Sequence, residues 1–198
     1  HCSIIEQIAL LIKINILKLK FMIKENHFYI DNLKNVVFLG EHENFEQLIK
    51  INQSLNLNTK IITSTAQSKL IKKKIKFKIF NNLDNDFKKF ITSEFKIEET
   101  LFVSIMGRWI FKNETIKNFF KFNLINYHPS RLPLYAGGAG DTWRILKEDR
   151  LDCQLFHLVD ETIDGGPIII SETSILPIGC RLPIDFHNFS SNVITSNY

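Results

Sequence analysis

Asn126 and His128 stand two residues apart at the end of the apolar run Asn123-Leu124-Ile125-Asn126, and Asp164 follows in the turn Ile163-Asp164-Gly165-Gly166-Pro167. On extended backbone, side chains two apart leave by the same face. The Asn126 amide and the His128 imidazole would then lie side by side, where two polar groups can bind one developing charge. Pro129 and Pro133 stiffen the segment that follows, and Gly137-Gly138-Ala139-Gly140 lets backbone approach a ligand closely. Singly, each residue also has an ordinary reading. An Asp before Gly-Gly is a common turn residue, and a lone His is commonly a packed or surface group. No Ser or Cys stands in a nucleophile elbow, which argues against a hydrolase built on His128 and Asp164.

The rest of the chain limits what this group can serve. Its 198 residues allow one domain, or one domain with an appendage. Hydrophobic residues make up 44% and charged residues 23%, the mixture of a soluble globular protein, and 17 Phe supply ample core. Cys2, Cys153 and Cys180 are too scattered for a disulfide framework and form no CxxC pair, so no metal site is expected. A reducing, cytoplasmic setting fits that usage. The net charge of +4 slightly favours a phosphorylated substrate without demanding nucleic acid. Lys13, Lys18 and Lys20 interrupt the apolar stretch 8–23, so no membrane span is expected. No small-residue cleavage site follows it either. The chain begins with His1, Met22 is a candidate natural start, and residues 1–21 carry little functional weight.

The elements that must position the three residues alternate. Val36-Val37-Phe38-Leu39-Gly40 reads as a strand buried on both faces, and 44–55 as a helix with Phe45, Leu48, Ile49 and Leu55 at helical spacing. Lys60–Thr63 is a second short strand, and the strict alternation over 74–80 predicts an edge strand with one wet face. A helix over 84–95, a strand over 101–105, a short helix over 115–120 and a strand over 123–126 follow. A helix over 141–147 and strands over 154–159 and 168–170 complete the pattern. This order predicts an α/β fold with a doubly wound, Rossmann-like, mostly parallel sheet. Ligands of such sheets sit beyond the carboxyl ends of the strands, where 106–111 and 126–140 fall. His157, inside a strand, reads as structural, and Cys153 as a packed thiol. Three segments are expected: a lead and hairpin over 1–34, partly non-native; a catalytic domain over 35–177; and an irregular tail over 178–198 that reads as truncated.

Together, the order and spacing of these residues resemble the formyltransferase family, which includes glycinamide ribonucleotide transformylase, methionyl-tRNA formyltransferase and the sugar N-formyltransferases. The shared signature is an Asn-x-His-x-Ser-x-Leu-Pro segment followed by Asp-x-Gly-Pro or a close variant. Here it is carried by Asn126, His128, Ser130, Leu132 and Pro133, then Asp164, Gly166 and Pro167. The resemblance covers about 101–170 and extends more weakly over 36–95. It implies the formyltransferase fold and transfer of formyl from N10-formyltetrahydrofolate to an amine, without a metal. It implies that Asn126 and His128 stabilise the oxyanion of the tetrahedral intermediate, while Asp164 helps remove the amine's proton and orients His128. By the same resemblance the pterin lies against Arg108, Trp109, Ile110 and Phe111, with the loop from Asp160 to Asp164 on its other side. Trp109, Ile110 and Phe111 also have a plain reading as a cap on the core.

The amine is narrowed by exclusion within the family. Glu41 and Glu43 in the loop after the first strand would repel the phosphate of glycinamide ribonucleotide. The chain ends too soon after Asp164 for the RNA-binding domain of a methionyl-tRNA formyltransferase, and Lys72-Lys73-Lys74 lacks the aromatic interleaving of an RNA contact. What remains is a nucleotide-linked amino-dideoxy sugar for a surface polysaccharide (lipopolysaccharide O-antigen), with dTDP-4-amino-4,6-dideoxyglucose as the leading candidate. Ser130, Arg131, Gly138 and Trp143 are the substrate-binding candidates, with Arg131 or Arg144 to meet its charge. A homodimer is compatible with the family. Ala136 departs from it, since relatives carry a basic residue there. The competing class is a folate- or nucleotide-sugar-binding remnant without turnover; a formyltransferase for another amine is a nearer variant. A NAD(P) dehydrogenase is set aside, because no GxGxxG follows the strand at 36–39.

Overall fold

The computed structural model describes residues 7–9, 12, 28, 30–72, 74–138 and 140–186. Its strands form where the apolar runs lie. β1 (Asn35–Gly40) is buried at every position, and so is β4 (Thr100–Ile105). A strand without a wet face needs cover on both sides, and its alternate residues serve two different cores. Val36 and Phe38 pack with Leu101, Val103 and Ile125. Val37 and Leu39 pack with Phe87, Ile91, Phe102 and Phe120 on the other face.

The sheet has seven strands in the order β3-β2-β1-β4-β5-β6-β7. β2 (Asn58–Thr63), β3 (Lys78–Ile79) and β5 (Leu124–His128) join β1 and β4 in parallel, whereas β6 (Leu151–Leu158) and β7 (Ile168–Ile175) run antiparallel. The expected doubly wound, mostly parallel sheet is the observed one. β5 extends past its expected end, so His128 is a strand residue beside Asn126.

Helices follow the amphipathic segments. α1 (Phe45–Ser54) turns Phe45 and Leu48 inward. The short α2 (Thr65–Ser68) is capped by the Ser64 hydroxyl. α3 (Asn85–Glu94) is capped by Asp84, whose carboxylate accepts the N–H groups of Asp86 and Phe87. The segment Thr115–Phe119 forms a π-helical turn, and α4 spans Gly140–Leu146. A ring cluster of Phe87, Phe102, Phe119 and Phe120 locks α3 and the π turn onto one face.

One element is corrected. The strand expected over 74–80 shortens to Lys78–Ile79, because Ile75 donates its N–H to Lys72 in a local turn and its side chain is buried. Alternation there reflects a turn with one inward residue, followed by a brief edge strand. At the amino end, residues 7–9 and 12 are helical, with Ile8 and Ile12 fully in the core. Most of the lead, including the hairpin expected before β1 and Met22, lies outside the described residues. Near the other end, 183–186 forms a helical turn closed by the Asp185 carboxylate on the N–H groups of Arg181 and Leu182. Residues 187–198 of the expected tail lie outside the described residues. No described helix is long and apolar enough to cross a membrane.

Candidate active site

β5 ends between β4 and the first antiparallel strand, β6. Its residues alternate, so Ile125 and Tyr127 enter one core while Asn126 and His128 share the opposite face with Leu124. β6 places His157 directly across from Asn126. The chain then leaves the sheet in the loop 159–167. Leu158 and Pro167 close its root through an N–H···O bond of 2.9 Å. Inside it, the Asp160 carboxylate accepts both the N–H and the hydroxyl of Thr162, at 2.8 and 2.6 Å. Gly166 passes so close to the Leu158 carbonyl that an added Cβ would lie 1.9 Å from its oxygen. This tight return turns Asp164, in the left-handed region at φ 51°, back over the end of β5.

The three residues singled out in the sequence converge there. Asp164 Oδ2 accepts the Gly137 N–H at 2.8 Å and lies 3.4 Å from His128 Nδ1. Its Oδ1 accepts from Asn126 Nδ2 at 3.4 Å and lies 3.5 Å from His157 Nε2. The His157 contact is the largest influence holding the Asp164 carboxyl below its usual range. Burial opposes it, and the Gly137 N–H and the charge of His128 reinforce it. Asp164 is therefore a carboxylate at neutral pH.

His128 is buried and held from both ends. Its Nε2 donates to the Tyr135 carbonyl at 2.8 Å, and the Ser130 hydroxyl sits 2.8 Å from the same nitrogen. Ser130 is thus enclosed beside His128 rather than open to a substrate; its part is to hold the ring. Arg131 pairs with Asp149, which also accepts the Tyr135 hydroxyl at 2.6 Å. Arg144 is buried against Asp152 at 2.8 Å and stacked over the Phe186 ring. Of the two arginines expected to meet a nucleotide's charge, Arg144 is closed off inside the fold, whereas Arg131, paired with Asp149, keeps part of its side chain exposed. Gly138 has open space around it, and Trp143 is exposed on α4, so those two candidates border the accessible side.

Beside Asn126 and Asp164 lies a cavity of about 180 Å³. Trp109, Ile110 and Phe111 form one wall, and the loop from Asp160 to Asp164 forms the other, the two sides expected to enclose the cofactor's pterin. The Trp109 Nε1 is buried without a hydrogen-bond partner. A slot with an aromatic and apolar wall suits a flat heterocycle. Asn113 bonds Glu161 and so ties the two walls together. Arg108 does not line this slot; it faces the next cavity, with Lys88 and Lys112. Among the described residues no group of His, Cys, Asp and Glu is placed to hold a metal.

Sequence reasoning missed His157, which was read as structural. It lines the cavity and touches both Asn126 and Asp164. Only the antiparallel register of β5 and β6 reveals it, and a single sequence carries no signal for that register.

No family model and no curated protein sequence matches the chain. Solved structures do. A phosphoribosylglycinamide formyltransferase from Bacillus halodurans is 17% identical, with a TM-score of 0.59 over 81% of this chain and 87% of that one. A formyltetrahydrofolate deformylase from Pseudomonas syringae is 18% identical, with a TM-score of 0.60 over 84% of this chain and 59% of that one. The formyltransferase PseJ from Anoxybacillus kamchatkensis was solved with UDP-4,6-dideoxy-4-formamido-L-AltNAc and tetrahydrofolate. It is 19% identical, with a TM-score of 0.55 over 82% of this chain and 71% of that one. The sheet order, the loop after β6 and these likenesses agree: the chain has the formyltransferase fold.

Proposed function

We propose that this protein transfers the formyl group of N10-formyltetrahydrofolate to the amine of a nucleotide-linked amino-dideoxy sugar, with dTDP-4-amino-4,6-dideoxyglucose as the leading candidate. The observation that carries the transfer is the convergence of Asn126, His128 and Asp164 beside a slot walled by Trp109, Ile110 and Phe111. N10-formyltetrahydrofolate would supply a formyl carbon open to attack by a neutral amine. The slot would take its pterin end; a second cavity shares Trp109 and Ile110 with it and is lined by Lys88, Arg108 and Lys112 together with Asp84 and Glu114.

Asn126 Nδ2 and His128 Nδ1 would donate to the formyl oxygen as negative charge gathers on it. Both now reach Asp164 at 3.4 Å, long enough that little is lost when they turn away. One such donor typically contributes about 3 kcal/mol in a dry site. His128 Nε2–H is committed to the Tyr135 carbonyl, which leaves Nδ1 turned toward Asp164. Asp164, held below the usual carboxylate range, would pass the amine's proton on to N10 as the C–N10 bond breaks, leaving the formamide and tetrahydrofolate.

A sugar acceptor is supported by the loop after β1 and by the surface near α4. In the loop after β1, Glu41 gives its N–H to the Ile105 carbonyl and Asn44 gives its N–H to His42 Nδ1. Two of that loop's backbone donors are therefore spent, and the Glu41 carboxyl beside them would meet a phosphate as like charge. Gly138 and Trp143 leave open surface on the substrate side. A protein of the same fold was solved with a UDP-linked 4-formamido sugar.

The test is formyl transfer by the purified protein, with acceptor amines compared at fixed cofactor. dTDP- and UDP-linked 4-amino sugars, glycinamide ribonucleotide and no amine make the series. Product on a nucleotide sugar, lost in His128→Ala and Asp164→Ala, is the expected result. Formate release without an amine would make water the acceptor. Folate binding, read by Trp109 fluorescence, without turnover on any acceptor would make the protein a binding remnant.

A further inference from the structure

Ser104 lies near the carboxyl end of β4, where its register partners are Leu39 on β1 and Asn126 on β5. Partners in a ladder turn their side chains to the same face, as do residues two apart on one strand. Ser104 therefore stands beside Asn126, next to the apolar layer that holds Leu39, Phe102 and Leu124. It is 2% exposed and lines the same cavity as Asn126, Trp109 and Asp164. Asn126 and Asp164 are bonded to each other there. The Ser104 hydroxyl has no hydrogen-bond partner among the described residues. A buried polar group in that condition calls for one, and the cavity is the side from which it can come.

Gly107 keeps that approach open. Its φ is not in the positive range, so its backbone does not ask for glycine. What asks for glycine is space. A Cβ built at 107 would lie 2.9 Å from Ser104 Oγ and 3.5 Å from Trp109 Cε3. Any larger residue would crowd the hydroxyl and the aromatic wall of the slot together.

We infer that Ser104 is a specificity-determining residue for the cofactor: its hydroxyl hydrogen-bonds the edge of the heterocycle that reaches the strand residues at the base of the slot, and Gly107 leaves room for that edge. A hydroxyl both donates and accepts, and a pterin carries nitrogen and oxygen atoms around its rim that do the same. An apolar ring of the same outline would leave the hydroxyl unpaired, and sites built around a hydrogen-bonding group reject such analogues strongly. The inference rests on the proposed use of N10-formyltetrahydrofolate.

The experiment measures tetrahydrofolate binding by calorimetry and urea unfolding without ligand, in the wild type, Ser104→Ala, Gly107→Ala and the double variant. Ser104→Ala should weaken binding roughly 3–10-fold, the effect of one neutral hydrogen bond. Its urea midpoint should stay level or rise, because an unpartnered hydroxyl adds nothing to the fold. Gly107→Ala should weaken binding in the Ser104 background and much less in the Ser104→Ala background, where the group it crowds is gone. Equal losses in both backgrounds overturn the part given to Gly107. A lowered urea midpoint in Ser104→Ala with full affinity makes the hydroxyl structural and overturns the inference. A raised KM for the acceptor amine with tetrahydrofolate affinity intact assigns the hydroxyl to the acceptor, and overturns it too. If the wild type binds no tetrahydrofolate, the cofactor reading itself fails and takes the inference with it. Binding by the wild type that Ser104→Ala keeps in full sinks the inference alone.

Discussion

The Asp164 carboxylate takes the Gly137 backbone N–H at 2.8 Å, a shorter bond than its approaches to Asn126, His128 and His157. This joins the loop that follows β5 to the loop that follows β6, with the catalytic candidates between them. Position 137 needs glycine for its backbone, which lies at φ 81°. An added Cβ there meets nothing within 4 Å, so the cost is conformational and not steric crowding. Gly137→Ala should therefore lose about 1–2 kcal/mol of stability and turn the N–H away from Asp164. Gly179→Ala, at a position beyond β7 with equally open space and no positive φ, is the control. Urea unfolding and transfer rate should separate the two: activity falls in the first and holds in the second.

Asp164→Asn keeps the shape and removes the charge. The amide would have to meet the Gly137 N–H, Asn126 Nδ2 and two imidazoles with only one acceptor oxygen. The rate of formyl transfer should fall roughly 10²–10⁴-fold. Folate binding, followed by Trp109 fluorescence, should change far less, since the slot's walls are otherwise intact.

Acid should weaken the fold in two separate windows. Burial pushes His42 down to about 4, with the charge of Glu43 opposing. Its usual value is 6.5, so between 6.5 and about 4 the unfolded chain binds a proton that the folded protein refuses. Stability then falls as pH drops through that range. Asp164 acts lower. Its folded carboxyl lies below 3.8, so its contribution is present above 3.8 and disappears as pH falls through the depressed value. Unfolding free energies measured from pH 7 to pH 3 should decline from near 6.5. His42→Gln should flatten the upper part of that decline and leave the lower part unchanged.

Gly166→Ala places a methyl group 1.9 Å from the Leu158 carbonyl oxygen, a backbone atom that cannot swing aside. The loop 159–167 must open at its root, where Leu158 and Pro167 are bonded. A loss of about 1–3 kcal/mol is expected, the usual range for overpacking. Activity should fall further than stability alone explains, because Asp164 is carried on the displaced segment. Thermal unfolding and initial rates on the same sample check both.

The buried pair of Arg144 and Asp152 predicts a different pattern. Arg144→Met removes the cation and leaves Asp152, 3% exposed, beside an apolar side chain. The expected cost is about 3–5 kcal/mol. Replacing both, Arg144→Met with Asp152→Leu, should return most of it. Denaturant midpoints of the single and double variants decide the point.

What the sequence determined by itself was local. Hydrophobic periodicity is written in neighbouring residues, so the buried strands at β1 and β4, the helices α1 and α3 and the doubly wound class were legible from 36–39, 44–55, 84–95 and 101–105. The same-face relation of Asn126 and His128 followed from the two-residue repeat of a strand, and the spacing to Asp164 completed the candidate site. Tertiary structure decided whatever depended on partners distant along the chain. His157 enters the site only because β6 runs antiparallel to β5 and sets it opposite Asn126. Ser130 turns inward because His128 and the Tyr135 carbonyl offer its hydroxyl a dry place to bond. Arg131 and Arg144 are spent on Asp149 and Asp152, carboxylates that a reading of charge along the chain had no means to pair with them. Strand register and ion pairing are choices made through space, where burial makes a polar group take whichever partner the fold brings within reach.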